Sequence, residues 1–135
     1  LCFAALVSAQ VPSAVSAAFQ QAMPGSNATF VQEGPLWKAQ LTENGKQVFY
    51  TYTAEGAYQF KEITLTKTEV PSAIMQNMEQ RFETGNNNVN TYEGVAKREF
   101  NDGTVYYEYQ FSNGGSHVEV FYSEAGQIVK RNVFQ

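Results

Sequence analysis

The chain has 135 residues, 43% of them hydrophobic and only 16% charged, a balance that gives a folded domain and argues against disorder. The net charge of −4 and a sequence pI near 4.9 leave no basic field for phosphate backbones or anionic lipid, so nucleic acid is not an expected partner. Eight tyrosines and ten phenylalanines against so little charge favour half-buried sheet surfaces over long solvated helices.

The chain opens with Leu1-Cys2-Phe3-Ala4-Ala5-Leu6-Val7-Ser8-Ala9, an apolar run ending in small residues at signal-peptidase spacing. Residues 1–9 read as a signal-peptide remnant cleaved after Ala9, and a first buried strand or helix is the alternative. The run is far below the ~20 residues of a membrane span, and no other stretch is long enough for one. Cys2 is the one cysteine and would leave with the signal. The mature domain would then have neither disulfide nor thiol nucleophile.

Beyond Ala9 the strongest feature is an internal repeat. Val11-Pro12-Ser13-Ala14-Val15 returns as Val70-Pro71-Ser72-Ala73-Ile74, and the match continues with Phe19 against Met78 and Met23 against Phe82, all 59 residues apart. In each copy the apolar positions recur every fourth residue, one stripe of a helix, with proline where a first turn accepts it. The expected stops are Pro24-Gly25 and Thr84-Gly85.

A second run of matches is spaced by 70: Trp37 with Tyr107, Leu41 with Phe111, Val48 with Val118, Tyr52 with Tyr122, and Gly56 with Gly126. The slip of 11 residues between the blocks falls between helix and sheet, which predicts a longer first hairpin in the second copy. Residues in these stretches alternate between two sides, as in strands with one buried face. Trp37, Ala39, Leu41, Val48, Tyr50 and Tyr52 form the inner set of copy one. Val105, Tyr107, Tyr109, Phe111, Val118, Val120 and Tyr122 form that of copy two. Turns are expected at Gly34-Pro35, Asn44-Gly45, Glu55-Gly56, Asp102-Gly103, Gly114-Gly115 and Ala125-Gly126.

These signals predict an α+β domain over residues 10–135, with repeat one at 10–69 and repeat two at 70–135. Each repeat is a helix followed by about four antiparallel strands. Joined edge to edge they give a sheet of about eight strands with both helices on one face and the other face open to solvent or to a partner.

The Val-Pro-Ser-Ala-Val helix closed by Met23-Pro24-Gly25, followed by strands with an Asn44-Gly45-Lys46 turn and a Glu55-Gly56 turn, resembles the PepSY-like domains of bacterial periplasmic proteins. Those are similar in fold to the beta-lactamase inhibitor protein. The resemblance covers about Val11 to Gln135 and implies tandem helix-plus-four-strand units, export, and a non-enzymatic role that is inhibitory, ligand-binding or calcium-linked. It brings no catalytic residues. The insertion in copy two departs from the short pattern.

Constellations for chemistry are sparse. His117 is the one histidine, expected on the outward side of its strand with Glu119 two residues further along the same face, where the pair could form a pH-sensitive contact. A surface histidine is the simpler reading. Zinc would need companions that the mature chain lacks. Glu108 and Glu119 could in principle serve as paired carboxylates, but on an open sheet they read as solvated acids. Asn86-Asn87-Asn88 and Asn101-Asp102-Gly103 offer oxygens for calcium without EF-hand spacing, and turn chemistry explains both. No cofactor is expected, calcium being the one candidate.

The outer face should carry Leu36, Lys38, Gln40, Phe49, Thr51, Tyr106, Glu108, Gln110, His117, Glu119 and Phe121, a mixture of aromatic anchors and polar groups typical of protein-binding sites. Cross-strand aromatic pairing for stability alone is the competing account. The expected function is a non-catalytic exported binding module, inhibitor-like, acting on an envelope protein or peptide through Phe49, Tyr106 and Phe121, with His117 and Glu119 beside them. A calcium- or small-ligand-responsive periplasmic sensor is the alternative. A hydrolase is disfavoured by the missing constellation.

Overall fold

The computed structural model describes residues 10–83 and 90–135. The reading of residues 1–9 as a signal peptide, the Thr84-Gly85 helix stop and the Asn86–Asn88 run lie outside the described residues.

Helix α1 (Ser13–Ala22) starts where Pro12 holds an extended backbone. The Pro12 carbonyl accepts from the amides of Val15 and Ser16 at 3.0 and 3.2 Å. Four strands follow: β1 (Thr29–Glu33), β2 (Leu36–Glu43), β3 (Lys46–Thr53) and β4 (Tyr58–Leu65). A 3₁₀ turn at Lys67–Glu69 leads to α2 (Ser72–Met78), which continues as a π turn through Glu83. Then come β5 (Thr91–Phe100), β6 (Val105–Asn113), β7 (Ser116–Ser123) and β8 (Ile128–Phe134). The strands form one eight-stranded sheet in sequence order, antiparallel from β1 through β3 and from β5 through β8.

Helix-then-four-strands thus occurs twice, as the sequence predicts. The extra length of the second passage is mostly hairpin: β5 has ten residues where β1 has five. A four-residue turn, Asn101 to Thr104, also replaces Gly34-Pro35. A bulge between Tyr92 and Gly94 accommodates the longer strand.

The chain divides into two compact units, through Glu62 and from Ile63. In the first, α1 buries Val15 and Phe19 against Trp37, Ala39 and Tyr52, with Met23, Phe30, Leu41, Tyr50 and Tyr58 packed around them. Phe19 meets Phe30 and Tyr50 edge-on, with centroids 5.7 and 6.0 Å away. In the second, Val70, Ile74, Met78 and Phe82 close over Val95, Tyr107, Tyr109, Phe111, Val118, Val120 and Tyr122. Both inner sets read from alternation therefore face helices. Each large apolar side chain buried this way contributes about 1.5–3 kcal/mol.

Two turns set the geometry. Asn44 and Gly45 both take positive φ, 51° and 78°, the conformation of a two-residue type I′ hairpin. Gly56, at φ +88°, lies where a Cβ would come within 2.6 Å of the Ala14 carbonyl oxygen, so the turn after β3 touches the first turn of α1 only because the residue is glycine.

Candidate functional site

On the other side of the strands from the helix, the outward residues, even-numbered on β2 and β6 and odd-numbered on β3 and β7, are only partly open. In the second unit Glu108 is 3% exposed and Phe121 5%, and in the first Thr51 is 0% and Glu62 6%. The cause is side chains folding over their neighbours. Arg98, on β5, sits opposite Tyr106 and one diagonal from Glu108, and its Nη2 donates to Glu108 Oε1 at 3.1 Å. The same guanidinium lies 5.1 Å from the Phe121 ring centroid, and the Lys130 ammonium lies 5.8 Å from it. Tyr106 packs edge-on to Phe121 at 6.4 Å and to Phe100 at 5.4 Å.

Phe121 is thus the floor of an aromatic and cationic cluster rather than an exposed anchor. Tyr106 and Phe100, both half-buried, are the rings of the cluster that remain accessible. Glu108 is not a solvated acid: its carboxylate is held in a charge-assisted pair. A depression of about 220 Å³ opens at the rim of this cluster, between Phe100, Asp102, Thr104 and Tyr106.

The first unit has its own version. Lys38 Nζ sits 3.1 Å from both Glu62 Oε1 and Glu33 Oε1 and 5.5 Å from the Phe49 centroid. Burial pulls the Lys38 pKa down, but the charges and hydrogen bonds of Glu62 and Glu33 more than offset this and hold it above the ordinary lysine value. Phe49 is half-buried beside it.

His117 and Glu119 do not pair with each other. His117 Nδ1 lies 3.4 Å from Glu93 Oε1, and the ring stacks on Phe134 at 6.1 Å. Glu119 Oε1 accepts from Asn132 Nδ2 at 3.3 Å. Residues two apart on one strand lie nearly 7 Å from each other, whereas Phe134 and Asn132 stand directly opposite His117 and Glu119 on β8, and Glu93 reaches His117 from β5, across β6. The two acids Glu108 and Glu119 are engaged by different partners and converge on no common cleft.

At the β5–β6 turn, Asp102 Oδ1 accepts from the Thr104 amide at 2.9 Å. The Thr104 backbone and side chain hold the Asp102 carboxyl below its ordinary range. Among the described residues no three His, Cys, Asp or Glu side chains come together as a metal cluster. No described helix is long and apolar enough to cross a membrane.

Sequence alternation told the two sides of the strands apart but missed the partners of the outward charges, Arg98, Glu62 and Glu33, and the Lys130 ammonium over Phe121. The available signal was a single charge amid aromatics on a buried strand, since such a charge needs an opposite one within reach.

No family model matches the chain, and no curated protein matches it. Solved structures do. A DUF2874 family protein from Bacteroides ovatus shares 14% identity at a TM-score of 0.73, over 93% of this chain and 89% of that one. A protein from Bacteroides eggerthii, described as a candidate periplasmic protein, shares 16% identity at 0.74, over 93% and 90%. A BLIP-like protein from Bacteroides fragilis shares 17% identity at 0.70, over 96% and 91%. These likenesses establish a BLIP-like fold.

Proposed function

We propose that the protein is an exported, non-catalytic binding module that engages an envelope protein or peptide in inhibitor-like fashion through the sheet face away from its helices. The observation that carries this reading is the cluster of Tyr106, Phe121 and Arg98, with Tyr106 seated on Phe121 at 6.4 Å and the guanidinium over the same ring at 5.1 Å. Tyrosine and arginine dominate binding hot spots, and here a strand backbone and a buried ion pair hold them in place before any partner arrives. Phe49 beside Lys38 is the anchor of the first unit, while His117 and Glu119 flank the second. Phe121 contributes as the platform under Tyr106. Export is supported by the Leu1–Ala9 run and by likeness to a protein described as a candidate for the periplasm. The PepSY-like resemblance points the same way.

The test is capture from envelope extract by immobilised mature domain. The Phe49→Ala/Tyr106→Ala variant should keep its circular dichroism and lose the captured partner. Undiminished capture by that variant would remove the assignment.

A further inference from the structure

The two helical passages differ at one buried point. In the second unit, the Tyr122 hydroxyl donates to Asn77 Oδ1 at 2.6 Å; burial pushes the pKa of this hydroxyl up to about 12, against a smaller opposing pull from nearby Arg81. At the offsets of the internal repeat, Tyr52 corresponds to Tyr122, Ala18 to Asn77 and Ala22 to Arg81. Two alanines therefore stand where the second passage has an amide and a guanidinium.

What the alanines leave is a cavity. It measures about 460 Å³ and is lined by Ala18, Gln21 and Ala22 of α1, Tyr50 and Tyr52 of β3, Gly56 of the following turn and Tyr58 of β4, within the size range of small-molecule sites. Tyr52 is 2% exposed, yet its hydroxyl makes no hydrogen bond among the described residues, unlike Tyr50, which donates to Glu43 Oε2 at 2.6 Å. Tyr52 lines the cavity, so a ligand acceptor there would give its hydroxyl a hydrogen bond. Burial raises the Tyr52 pKa, so the proton stays on and the group donates. No charged side chain lines the cavity, and Lys61 at its margin is already 3.1 Å from Glu43 Oε1.

We propose that this cavity is a binding site for a small uncharged ligand with a flat apolar body and a carboxamide-like acceptor, which supplies Tyr52 with the hydrogen bond that Asn77 supplies to Tyr122. The rings of Tyr50, Tyr52 and Tyr58 would take the flat body. Gln21, at the mouth, is placed to meet the amide's second donor or acceptor. The site is separate from the sheet face and stands whether or not that face binds a protein.

Benzamide is the probe, with toluene as the hydrocarbon of similar shape lacking the acceptor, each followed by amide chemical shifts of the labelled protein. Benzamide should move the Ala18, Ala22 and Gly56 resonances. Tyr52→Phe should weaken benzamide by roughly three- to tenfold, the worth of one hydrogen bond, and leave toluene unchanged. Ala18→Asn, which copies the second passage, should abolish the benzamide shifts. Absence of shifts at those three residues up to the solubility limit overturns the proposal, as does equal benzamide binding by wild type and Tyr52→Phe. If Ala18→Asn fails to fold, the Tyr52→Phe comparison decides alone.

Discussion

Replacing Arg98 by methionine tests whether the ion pair under Tyr106 is buried enough to matter. Glu108 is 3% exposed and the Arg98 side chain 18%, so the substitution leaves a carboxylate inside the protein without the guanidinium that neutralises it. Removing one member of a buried pair costs about 3–5 kcal/mol, most of it desolvation of the charge left behind. Part of the guanidinium reaches solvent, so the lower end, about 3 kcal/mol, is expected, or a fall in melting temperature of roughly 10 °C for a chain of this size. The loss should depend on pH in a defined direction. Without Arg98 the Glu108 carboxylate keeps its burial and loses this counter-charge, so protonation favours the folded variant, and its deficit should be smallest at acidic pH and grow as pH rises. Calorimetry of wild type, Arg98→Met, Glu108→Leu and the double variant closes the cycle. The double variant should recover most of the stability, because two apolar residues leave no charge to bury. A loss under about 1 kcal/mol for Arg98→Met, or a double variant as unstable as that single one, would refute the reasoning.

Gly56→Ala should cost about 3 kcal/mol or more by chemical denaturation, combining positive φ with a Cβ 2.6 Å from the Ala14 oxygen. Gly34→Ala, also at positive φ but with nothing within 4 Å, should cost about 1 kcal/mol, and equal effects would deny the helix–turn contact. The Lys38 pKa is raised above 10.5 in the fold, so its stabilisation is complete below that pH and fades as pH climbs through the folded value. Lys38→Met should therefore lose about 2 kcal/mol at pH 8 and converge on wild type in strong alkali, as read by urea midpoints. Millimolar calcium or chelator should leave the melting temperature unchanged, and a rise of several degrees with calcium would favour the sensor reading.

Much of the fold was legible because packing writes itself into period. Val15 and Phe19 on α1, and the odd residues of β2 and β6 with the even residues of β3 and β7 that face them, are spaced as helix and strand geometry require, and they are the residues found in the two cores. The longer hairpin was legible as a slip in the repeat. The state of the outer face was not. Alternation says which side a residue takes, not how far a neighbour will fold over it, so Glu108 and Phe121 read as exposed and are buried. Their covering groups, Arg98 and Lys130, lie on β5 and β8, and the distances to them depend on register, which is fixed by the bulges at Tyr92/Gly94 and Phe121/Tyr122. His117 was placed on the right face with the wrong partner for the same reason.

The two passages agree on one side of their strands and disagree on the other. Facing the helices, Trp37 answers to Tyr107, Leu41 to Phe111, Val48 to Val118 and Tyr52 to Tyr122, pairs alike in size and polarity, as a packed interior demands. On the opposite side Gln40 matches Gln110, but Leu36 answers to Tyr106, an aliphatic chain for a ring, Lys38 to Glu108, a reversal of charge, and Phe49 to Glu119 and Thr51 to Phe121, a ring exchanged for a polar group. Packing does not require these differences, since an ion pair and a cation over a ring occur in both units with the charges at the matched position exchanged. In one unit the cation is on the matched strand and the acid elsewhere, at Lys38 and Glu62; in the other the acid is on it, at Glu108, and the cation is Arg98. A partner meeting the two surfaces would encounter Phe49 beside a lysine on one and Tyr106 beside an arginine on the other. On the proposed reading the two units therefore offer a partner unlike groups, and single alanine substitutions at Phe49 and Tyr106 should weaken capture to different extents.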